Sequence, residues 1–287
     1  MQKNTLLVHR FACLRDDLTI RGTLYRPAVQ KAAENRVTGV SSDGTAHTDA
    51  CDRTSQKLPI AILSHGFMAN QKMMTAYAKT AAALGYAAFT FDFCGGCIIG
   101  KSDGKTTEMS VLTEMKDLEA VIAFAAGQPF TDAANIALIG ASQGGFVSAL
   151  TAAKYKEKIA KLVLFYPALC IPDDARKGHM MFAKFDPQQI PPIIRCGPMT
   201  LGRIYPEDVL PLDPFTDIAP YKGPVLILHG TDDDVVNISY ARRAAECYAD
   251  CRLVEIPNAK HGFSKADDRI ALPYLRNFLQ NTYDAKK

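Results

Sequence analysis

One serine in this chain stands in a setting that could make it a nucleophile. Ser142 is the centre of the pentapeptide Gly-Ala-Ser-Gln-Gly at residues 140–144, which directly follows the apolar run at residues 136–139. This pattern is typical of a strand that turns sharply into a helix and leaves the serine Oγ exposed above the sheet. Because such a turn is crowded, the positions two before and two after the serine must lack a Cβ. The pattern arises by chance in roughly one chain in ten of this length, so the motif alone is weak evidence. The apolar run before it and the helical spacing of Phe146 and Leu150 after it support the interpretation.

A serine hydroxyl needs a base to take its proton, and that base needs an acid to orient it. Two loops that follow apolar runs offer both groups. The loop after residues 225–228 begins His-Gly-Thr-Asp-Asp-Asp and carries Asp232, Asp233 and Asp234 as candidate acids. The loop after the next strand candidate carries His261. Loops at the carboxyl ends of strands in one sheet meet at one edge, so nucleophile, acid and base can converge there.

The remaining histidines fit the role of the base less well. His65 and His229 also follow apolar runs, but His65 precedes the nucleophile and His229 ends the strand that carries the acid. We therefore expect His229 to shape the turn. His179 lies in a long insertion, where it is either a surface residue or a substrate contact, whereas His9 and His47 have no comparable setting.

Attack on a carbonyl carbon builds negative charge on its oxygen, which requires N–H donors already aimed at that oxygen. The backbone N–H of Gln143, immediately after the serine, is one candidate, since the positive end of a helix dipole adds to it there. A second donor is expected from the loop Ser-His-Gly-Phe at residues 64–67, which follows the apolar run at residues 60–63. The glycine of that loop lets its backbone approach closely.

Short apolar runs alternate with segments of helical length and spacing along most of the chain. The strand candidates lie at residues 18–25, 60–63, 87–91, 136–139, 162–166, 225–228 and 252–256. The helix candidates lie at residues 73–84, 109–126, 144–158, 238–248 and 267–280. Such alternation is typical of a mostly parallel sheet with helices on both faces, so we expect a doubly wound α/β fold.

Three stretches depart from this rhythm. Residues 18–25 alternate with period two, which predicts an antiparallel edge strand with one wet face, paired with residues near 6–13. Residues 30–57 are rich in Ser, Thr, Asp and Ala without an apolar run, and we expect a mobile surface excursion without chemistry. Residues 167–215 mix prolines with Met and aromatic residues after a strand's carboxyl end. We expect a small cap there, over the ligand crevice, with a satellite core as the alternative.

Composition and charge narrow the class of protein. With 287 residues, of which 48% are hydrophobic, we expect one domain over residues 1–287 that contains the 167–215 insertion. The net charge of +3 comes from scattered charges without a basic cluster, which argues against a nucleic-acid partner. The first residues lack the apolar stretch of a signal peptide, and no run reaches membrane-spanning length. We therefore expect a soluble, cytoplasmic protein without a membrane partner.

Eight cysteines are spread over the chain. A chain of this size needs no disulfide framework, so reduced thiols in a cytoplasm are expected. Cys94 and Cys97 have the spacing of a zinc or redox motif, but a zinc site would need a second pair of ligands. Cys247 and Cys251 fall at a helix end. Buried or half-buried free thiols, without a bound metal, are the expected outcome.

The serine pentapeptide, the His-Gly-x-x-Asp-x-Val-Val segment at residues 229–236 and the final His-Gly-Phe together resemble the serine α/β-hydrolase family, over about residues 18–279. In that family the order along the chain is serine, acid, histidine. The family's acid stands four residues after the strand-end histidine, which points to Asp233, with its two neighbours as competitors. The family's His-Gly-x loop likewise points to the backbone N–H of Phe67, beside that of Gln143, as the oxyanion donors.

The resemblance is closer to the feruloyl and cinnamoyl esterase group. There Ser-His-Gly-Phe, an Asp-Phe-x-Gly loop leading to Ser-Asp-Gly, and Ser-Gln-Gly-Gly occur together, with counterparts here at residues 64–67, 92–95, 102–104 and 142–145. Two departures stand out, since Cys94 replaces the usual Arg and the loop that follows is longer. We therefore expect a pocket mouth of different shape.

The resemblance implies a carboxylic-ester hydrolase in which Ser142 attacks, His261 shuttles the proton and Asp233 orients His261. An acyl-enzyme would form on hydroxycinnamate or other small aryl or acyl esters. The implied partner is a small-molecule ester, with no cofactor and no metal. The sequence does not decide between a monomer and a homodimer. One alternative is a serine peptidase of the prolyl-oligopeptidase-like type, although this sequence shows no blade-like repeat. The other is a hydrolase-like module that binds a ligand without turnover.

Overall fold

A central sheet organises the computed structural model, which describes residues 5–28 and 57–280. The described strands are β1 (Leu6–Arg15), β2 (Leu18–Pro27), β3 (Leu58–Ser64), β4 (Ala87–Phe91), β5 (Thr131–Ala141), β6 (Ile159–Phe165), β7 (His179–Met180), β8 (Ala183–Lys184), β9 (Ile193–Cys196), β10 (Met199–Gly202), β11 (Val225–Gly230) and β12 (Cys251–Ile256). Eight of them form the sheet, in the order β1-β2-β4-β3-β5-β6-β11-β12. The other four form two small hairpins.

The sheet is mostly parallel. From β4 to β12 all neighbouring strands run parallel, whereas β1 with β2 and β2 with β4 are antiparallel. The central strands are covered on both faces, and every residue of β4 and β11 is buried. A strand in this position must be apolar throughout, which explains why the sequence shows continuous runs there. The predicted doubly wound α/β fold is confirmed.

Helices cover both faces of the sheet. The described α-helices are α1 (Thr75–Ala83), α2 (Val111–Ala126), α3 (Gln143–Lys154), α4 (Ile171–Arg176), α5 (Ile204–Val209), α6 (Pro214–Ile218), α7 (Ser239–Cys247) and α8 (Lys265–Gln280). Apolar side chains of α2, α3 and α7 pack in the core on one face, and those of α1 and α8 pack on the other. Within the described residues, each helix is too short or too polar to cross a membrane.

The start of α2 is set by a reciprocal cap. Ser110 Oγ accepts from the Thr113 N–H at 3.2 Å, and Thr113 Oγ1 accepts from the Ser110 N–H at 2.8 Å. These two bonds satisfy N–H groups that a helix leaves unpaired at its first turn. The helix therefore begins at Val111, two residues after the start that the apolar spacing predicted.

The prediction that residues 18–25 form an edge strand is wrong in one respect. The strand β2 pairs with β1, as expected, but it also pairs with β4, so β1 takes the edge. The polar positions of β2 indicated a wet face, yet Thr23 is buried and its Oγ1 donates to Gln71 Oε1 at 2.8 Å. A hydrogen bond inside the protein replaces the water that the alternating pattern predicted.

Residues 167–215 hold more regular structure than the sequence indicated. They contain α4, α5, the start of α6 and both small hairpins. Met180, Leu201 and Phe215 belong to the same hydrophobic core as α2 and α3, so the segment is packed against that face of the sheet and forms no satellite core of its own. The surface excursion predicted at residues 30–57 lies, apart from Lys57, outside the described residues.

A buried ion pair joins the edge strand β1 to α2. The Asp117 side chain is fully buried, and its carboxylate accepts from Arg15 Nε at 2.7 Å and from the Cys94 N–H at 2.8 Å. Burial raises the pKa of Asp117 to about 6, although the Arg15 charge and the hydrogen bonds act in the opposite direction. The guanidinium therefore keeps this carboxylate ionised inside the protein at neutral pH.

Replacing Arg15 by methionine should destabilise the protein, because the substitution leaves a buried carboxylate without its cation. We expect the free energy of unfolding at pH 8 to fall by about 3–5 kcal/mol. The loss should be smaller at pH 5. The pKa of Asp117 is higher in the folded than in the unfolded protein, so at the lower pH the folded protein holds this carboxyl in its neutral form. Urea unfolding at both pH values measures the two losses.

Arg10→Met is the matched control for this substitution. Arg10 lies on the same strand but is exposed, so its replacement should change the unfolding free energy by less than about 0.5 kcal/mol. An Arg15→Met protein as stable as Arg10→Met at pH 8 would contradict the prediction.

Candidate active site

Ser142 lies in a strained turn between β5 and α3. Its φ is +54°, which L-residues rarely adopt, and its N–H donates to Phe165 O at 2.9 Å on the neighbouring strand. A Cβ on Gly140 would lie 2.2 Å from Gly144 O, and a Cβ on Gly144 would lie 2.3 Å from His65 O. Close backbone contacts thus require both glycines, for the reason that the motif suggested. The turn presents the serine Oγ at the carboxyl end of the sheet.

Ser142, His261 and Asp233 lie within hydrogen-bonding distance of one another in series. His261 Nε2 is 2.9 Å from Ser142 Oγ, and His261 Nδ1 is 2.8 Å from Asp233 Oδ2. The three side chains come from loops that follow β5, β11 and β12. The imidazole is 17% exposed, whereas the Asp233 side chain is fully buried. With Nδ1–H donating to the carboxylate, the Nε2 lone pair faces the serine hydroxyl, as a general base requires.

The Asp233 carboxylate is surrounded by donors. Its Oδ1 accepts from the N–H groups of Val235 at 3.0 Å and Val236 at 2.8 Å, and its Oδ2 faces both His229 and His261. Burial alone would raise the pKa of this carboxyl, but the hydrogen bonds from His229, His261 and Val236 outweigh it and hold the pKa below its usual range. A carboxylate that stays charged can stabilise an imidazolium beside it.

The two neighbouring aspartates have other partners. Asp232 Oδ1 accepts from Thr231 Oγ1 at 3.0 Å, and an oxygen of Asp234 lies 3.6 Å from Lys260 Nζ. Both aspartates are exposed. Of the three acids that spacing left open, Asp233 is the one that the fold brings to His261.

His229 does more than shape the turn. Its buried Nε2 lies 2.9 Å from Val236 O and 3.2 Å from Asp233 Oδ2. Both oxygens accept hydrogen bonds, so Nε2 carries the proton and bridges them. His229 therefore fixes the loop that presents the acid. The sequence signal for this contact was its place four residues before Asp233, at the end of the same strand.

Two backbone amides beside the serine are available to a substrate. The N–H groups of Gln143 and Phe67 donate to no acceptor within residues 5–28 and 57–280. Gln143 begins α3, and the helix dipole adds to the positive character of its N–H. The loop that carries Phe67 lies against the nucleophile, since a Cβ on Gly66 would stand 3.0 Å from Ser142 Cβ and 3.6 Å from Ser142 Oγ. Both expected donor residues are thus placed next to Ser142.

His65 lies behind this loop. It is buried, its Nδ1 is 2.8 Å from Gly66 O, and its Nε2 accepts the Phe93 N–H at 3.1 Å. These bonds assign the proton to Nδ1. Burial lowers the pKa of His65, so the ring stays neutral. His65 therefore donates to the Gly66 carbonyl and has no free lone pair with which to act as a base.

Tyr166 packs against the imidazole. The ring centroids of Tyr166 and His261 are 4.9 Å apart, and those of Tyr166 and Phe263 are 4.7 Å apart. Tyr166 directly follows β6, is buried and has a φ of +36°. Sequence reasoning missed this supporting residue. The available signal was its position at the end of an apolar run, on the edge of the sheet where the candidate residues meet.

A cavity of about 320 Å³ lies beside Ser142 and His261. Phe67, Val235 and Val236 form part of its wall. Much of the rest comes from residues 167–215, through Ala168, Cys170, Ile171, Asp174, His179, Met180, Met181, Phe182 and Tyr205. The wall is mainly apolar, with a few polar groups, and its volume suits a small ligand. His179 is thus a residue of the cavity wall.

Cys94 and Cys97 are free thiols, one buried and one half-buried. Donor atoms of Cys97, His65 and Asp92 lie within 4.8 Å of one another, the spacing of a metal cluster. However, His65 Nε2 already accepts a backbone N–H at 3.1 Å, and the two Asp92 oxygens accept backbone N–H groups at 2.8 and 2.9 Å. The single lone pair of His65 Nε2 is therefore already used, so His65 has none left for a metal.

The lengthened loop after β4 pairs with the loop that carries Phe67. Cys97 and Met68 form an isolated parallel bridge, and the Ile98 N–H donates to Met68 O at 3.3 Å. Ile98 and Ile99 are exposed large apolar residues. The additional residues thus place apolar side chains at the surface next to the loop that lies against Ser142.

Comparisons with known proteins agree with this fold. A family model described as "Serine aminopeptidase, S33" matches residues 56–198. Est1E from Butyrivibrio proteoclasticus, solved with ferulic acid bound, is similar with a TM-score of 0.79 and 25% identity, over 94% of this chain and 97% of that chain. A second Est1E structure has a TM-score of 0.74 at 22% identity, over 94% and 97% of the two chains.

More distant structures share the fold alone. Alpha/beta hydrolase domain-containing protein 10 from mouse has a TM-score of 0.67 at 17% identity, over 94% of this chain and 97% of that chain. No curated protein matches this chain in sequence. Three findings indicate the same fold: the mostly parallel sheet, the family model and the full-length likeness to Est1E. The chain is a hydrolase with the α/β-hydrolase fold, similar in structure to the Est1E solved with ferulic acid bound.

Proposed function

We propose that this hydrolase is a serine carboxylic-ester hydrolase that works through an acyl-enzyme. The observation that carries the proposal is the series of contacts from Ser142 Oγ through His261 to Asp233, beside an apolar cavity. A serine hydroxyl 2.9 Å from an imidazole, itself oriented by a buried carboxylate, has the arrangement of an activated nucleophile.

Acylation starts when Ser142 Oγ bonds to the ester carbonyl carbon and its proton passes to His261 Nε2. The electron pair of the carbonyl π bond moves to the oxygen, where the N–H groups of Phe67 and Gln143 stabilise the charge. The intermediate then collapses and re-forms the carbonyl. The alcohol leaves with the proton from His261, while Asp233 stabilises the imidazolium until that transfer.

Deacylation repeats these steps with water. His261 Nε2 takes a proton from the water as its oxygen bonds to the acyl carbon, and the same two amides hold the new oxyanion. Ser142 Oγ then leaves, takes the proton back from His261 and releases the carboxylic acid. The groups of the triad supply the base, the acid and the nucleophile, so the proposed cycle needs no cofactor and no metal.

We expect hydroxycinnamate esters or other small aryl and acyl esters as substrates. Met180, Phe182 and Tyr205 line a cavity of about 320 Å³, which suits a flat or apolar acyl group. Asp174 and His179 offer polar partners for a substituent on that group. The likeness to an esterase solved with ferulic acid supports this class. In this proposal residues 167–215 act as the cap of one domain.

A serine peptidase is the second candidate, because the matching family model is described as a serine aminopeptidase. Esters and amides pass through the same intermediates, so the catalytic groups do not separate the two. An aminopeptidase must also hold a charged α-amino group, for which the cavity wall offers Asp174 and Asp234. Asp234 pairs with Lys260 at 3.6 Å, so Asp174 is the wall carboxylate that an α-amino group would have to reach.

Ser142→Ala should abolish turnover of short aryl esters, because it removes the attacking oxygen. We expect kcat to fall roughly 10⁴-fold or more, and covalent labelling by a fluorophosphonate probe to disappear. The exposed Ser239 provides the control, since Ser239→Ala should keep both activity and labelling. Hydrolysis that survives in Ser142→Ala would rule out the proposal, and a wild-type protein that resists the probe would favour a binding module.

Asp233→Asn should lower kcat by roughly 10⁴-fold with little change in KM, because an amide cannot hold the imidazole in the required tautomer. Steady-state kinetics on the same ester measures the loss. Asp232→Asn is the matched control, as its carboxylate lies next to Asp233 in the chain but bonds Thr231 at the surface. Equal activities of the two variants would contradict the assignment of the acid.

The substrate class is tested by comparing kcat/KM across ester series. Methyl ferulate and methyl p-coumarate should exceed aryl acetates and butyrates by about tenfold or more, because a flat ring fills the apolar cavity that a short acyl chain leaves open. Aminoacyl anilides should be poor substrates. A bias for short aliphatic acids would rule out the hydroxycinnamate assignment, and faster cleavage of the anilides would favour the peptidase.

A further inference from the structure

The side chain of Gln143 is buried and bonded at both ends. Its Nε2 donates to Glu114 Oε2 at 2.8 Å, and its Oε1 accepts from the Tyr205 hydroxyl. Glu114 lies on α2, and Tyr205 lies on α5 within the 167–215 segment. Two elements that are distant in the chain thus meet on the residue that follows Ser142.

Glu114 offers an acceptor without a charge. It is 1% exposed, and its Oε1 has no hydrogen-bond partner among the described residues. A Cβ on Gly96 would lie 2.6 Å from that oxygen, so backbone packs closely around it. Burial raises the pKa of Glu114 well above its usual range, although the bond from Gln143 opposes the change. A neutral acid adds no negative charge near the place where an oxyanion develops.

Tyr205 touches the residues of both expected oxyanion donors. Its hydroxyl donates to the Gln143 side chain, and its ring packs edge-on against that of Phe67 with centroids 5.8 Å apart. Burial raises the pKa of this hydroxyl, which keeps it a donor. The same ring forms part of the cavity wall. One side chain of the 167–215 segment is therefore in contact with both sides of the oxyanion site.

We propose that Glu114 and Tyr205 are positioning residues that hold the oxyanion hole in shape through Gln143 and Phe67. The inference rests on the proposed function, because only acyl transfer gives the two amides this role. The first N–H groups of a helix make no bond within it, so the Gln143 N–H is held through its planar peptide group, whose Ser142 carbonyl accepts from the N–H groups of Gly145, Phe146 and Ala168. The two bonds to the Gln143 side chain add to that support, since they fix the other side of the same residue.

The proposal predicts a loss in kcat when either bond is removed. Glu114→Met and Tyr205→Phe should each lower kcat for an aryl ester by about tenfold, less than the 10²–10³-fold typical of a lost oxyanion donor. For Glu114→Met we expect KM to stay within about twofold. Glu114 lies behind the cavity wall, so its replacement removes no contact with the bound substrate in the ground state. Glu114→Gln should recover most of the loss, since an uncharged amide oxygen accepts the same bond.

An inhibitor that forms an oxyanion separates positioning from general damage. An aryl trifluoromethyl ketone bonds to Ser142 Oγ, His261 takes the serine proton, and the ketone oxygen becomes the oxyanion. Its affinity should fall in parallel with kcat in Glu114→Met and Tyr205→Phe. Tyr221→Phe is the matched control, because its buried hydroxyl donates to Ile159 O at 3.2 Å, at the start of β6. That variant should lose stability and keep both kcat and ketone affinity.

The outcomes separate this inference from the proposed function. If the wild type is active, three results would overturn the positioning role alone. They are an unchanged kcat in Glu114→Met, a loss of kcat without a loss of ketone affinity, and a Glu114→Gln protein as impaired as Glu114→Met. A wild type that hydrolyses no ester, or an active Ser142→Ala, would overturn both. If Glu114→Met does not fold, Tyr205→Phe decides by the same ketone measurement, since it removes only one hydroxyl.

Discussion

The whole site depends on how closely three backbone segments approach one another at the serine turn. A Cβ at Gly140 or Gly144 would lie 2.2 or 2.3 Å from a carbonyl oxygen, a distance that atoms do not tolerate. The second of these contacts, with His65 O, joins the turn to the loop that carries Phe67. Close backbone packing thus holds the serine turn against the loop that carries Phe67. The strained φ of Ser142 persists because the surrounding sheet leaves the turn no other conformation.

Two buried carboxyl groups near the serine have opposite environments. Asp233 receives hydrogen bonds from two backbone N–H groups and faces two histidines, and these donors hold its pKa low despite burial. Glu114 receives one bond from an amide, and burial drives its pKa up. In the proposed mechanism the first group places a permanent charge beside His261, and the second offers Gln143 an acceptor without charge. Groups whose surroundings separate their pKa values in this way take different roles in one site.

The sequence predicted the features that depend on local pattern. Continuous apolar runs indicated the central strands, and the spacing of two glycines indicated the turn at Ser142. Spacing alone could not choose among three aspartates, because the choice depends on which carboxylate the loop turns inward, and resemblance pointed to Asp233. The contacts of Gln143 were beyond any local pattern, as Glu114 is 29 and Tyr205 is 62 residues away along the chain. The edge position of β1 was missed because the polar residue Thr23 indicated a solvent-exposed face of β2. In the fold Thr23 is buried and hydrogen-bonded to Gln71.

In the proposed mechanism, the location of His261 couples catalysis to an outer side of the sheet. The imidazole stands in the loop between β12 and α8, 119 residues from Ser142, and β12 is an outermost strand with one neighbour and few buried residues. Outer elements open more often than central ones, because fewer contacts must break. Each such opening would carry the imidazole away while β5 and its serine stay folded. Heat inactivation would then follow a partial unfolding of this margin, at temperatures below the melting of the core.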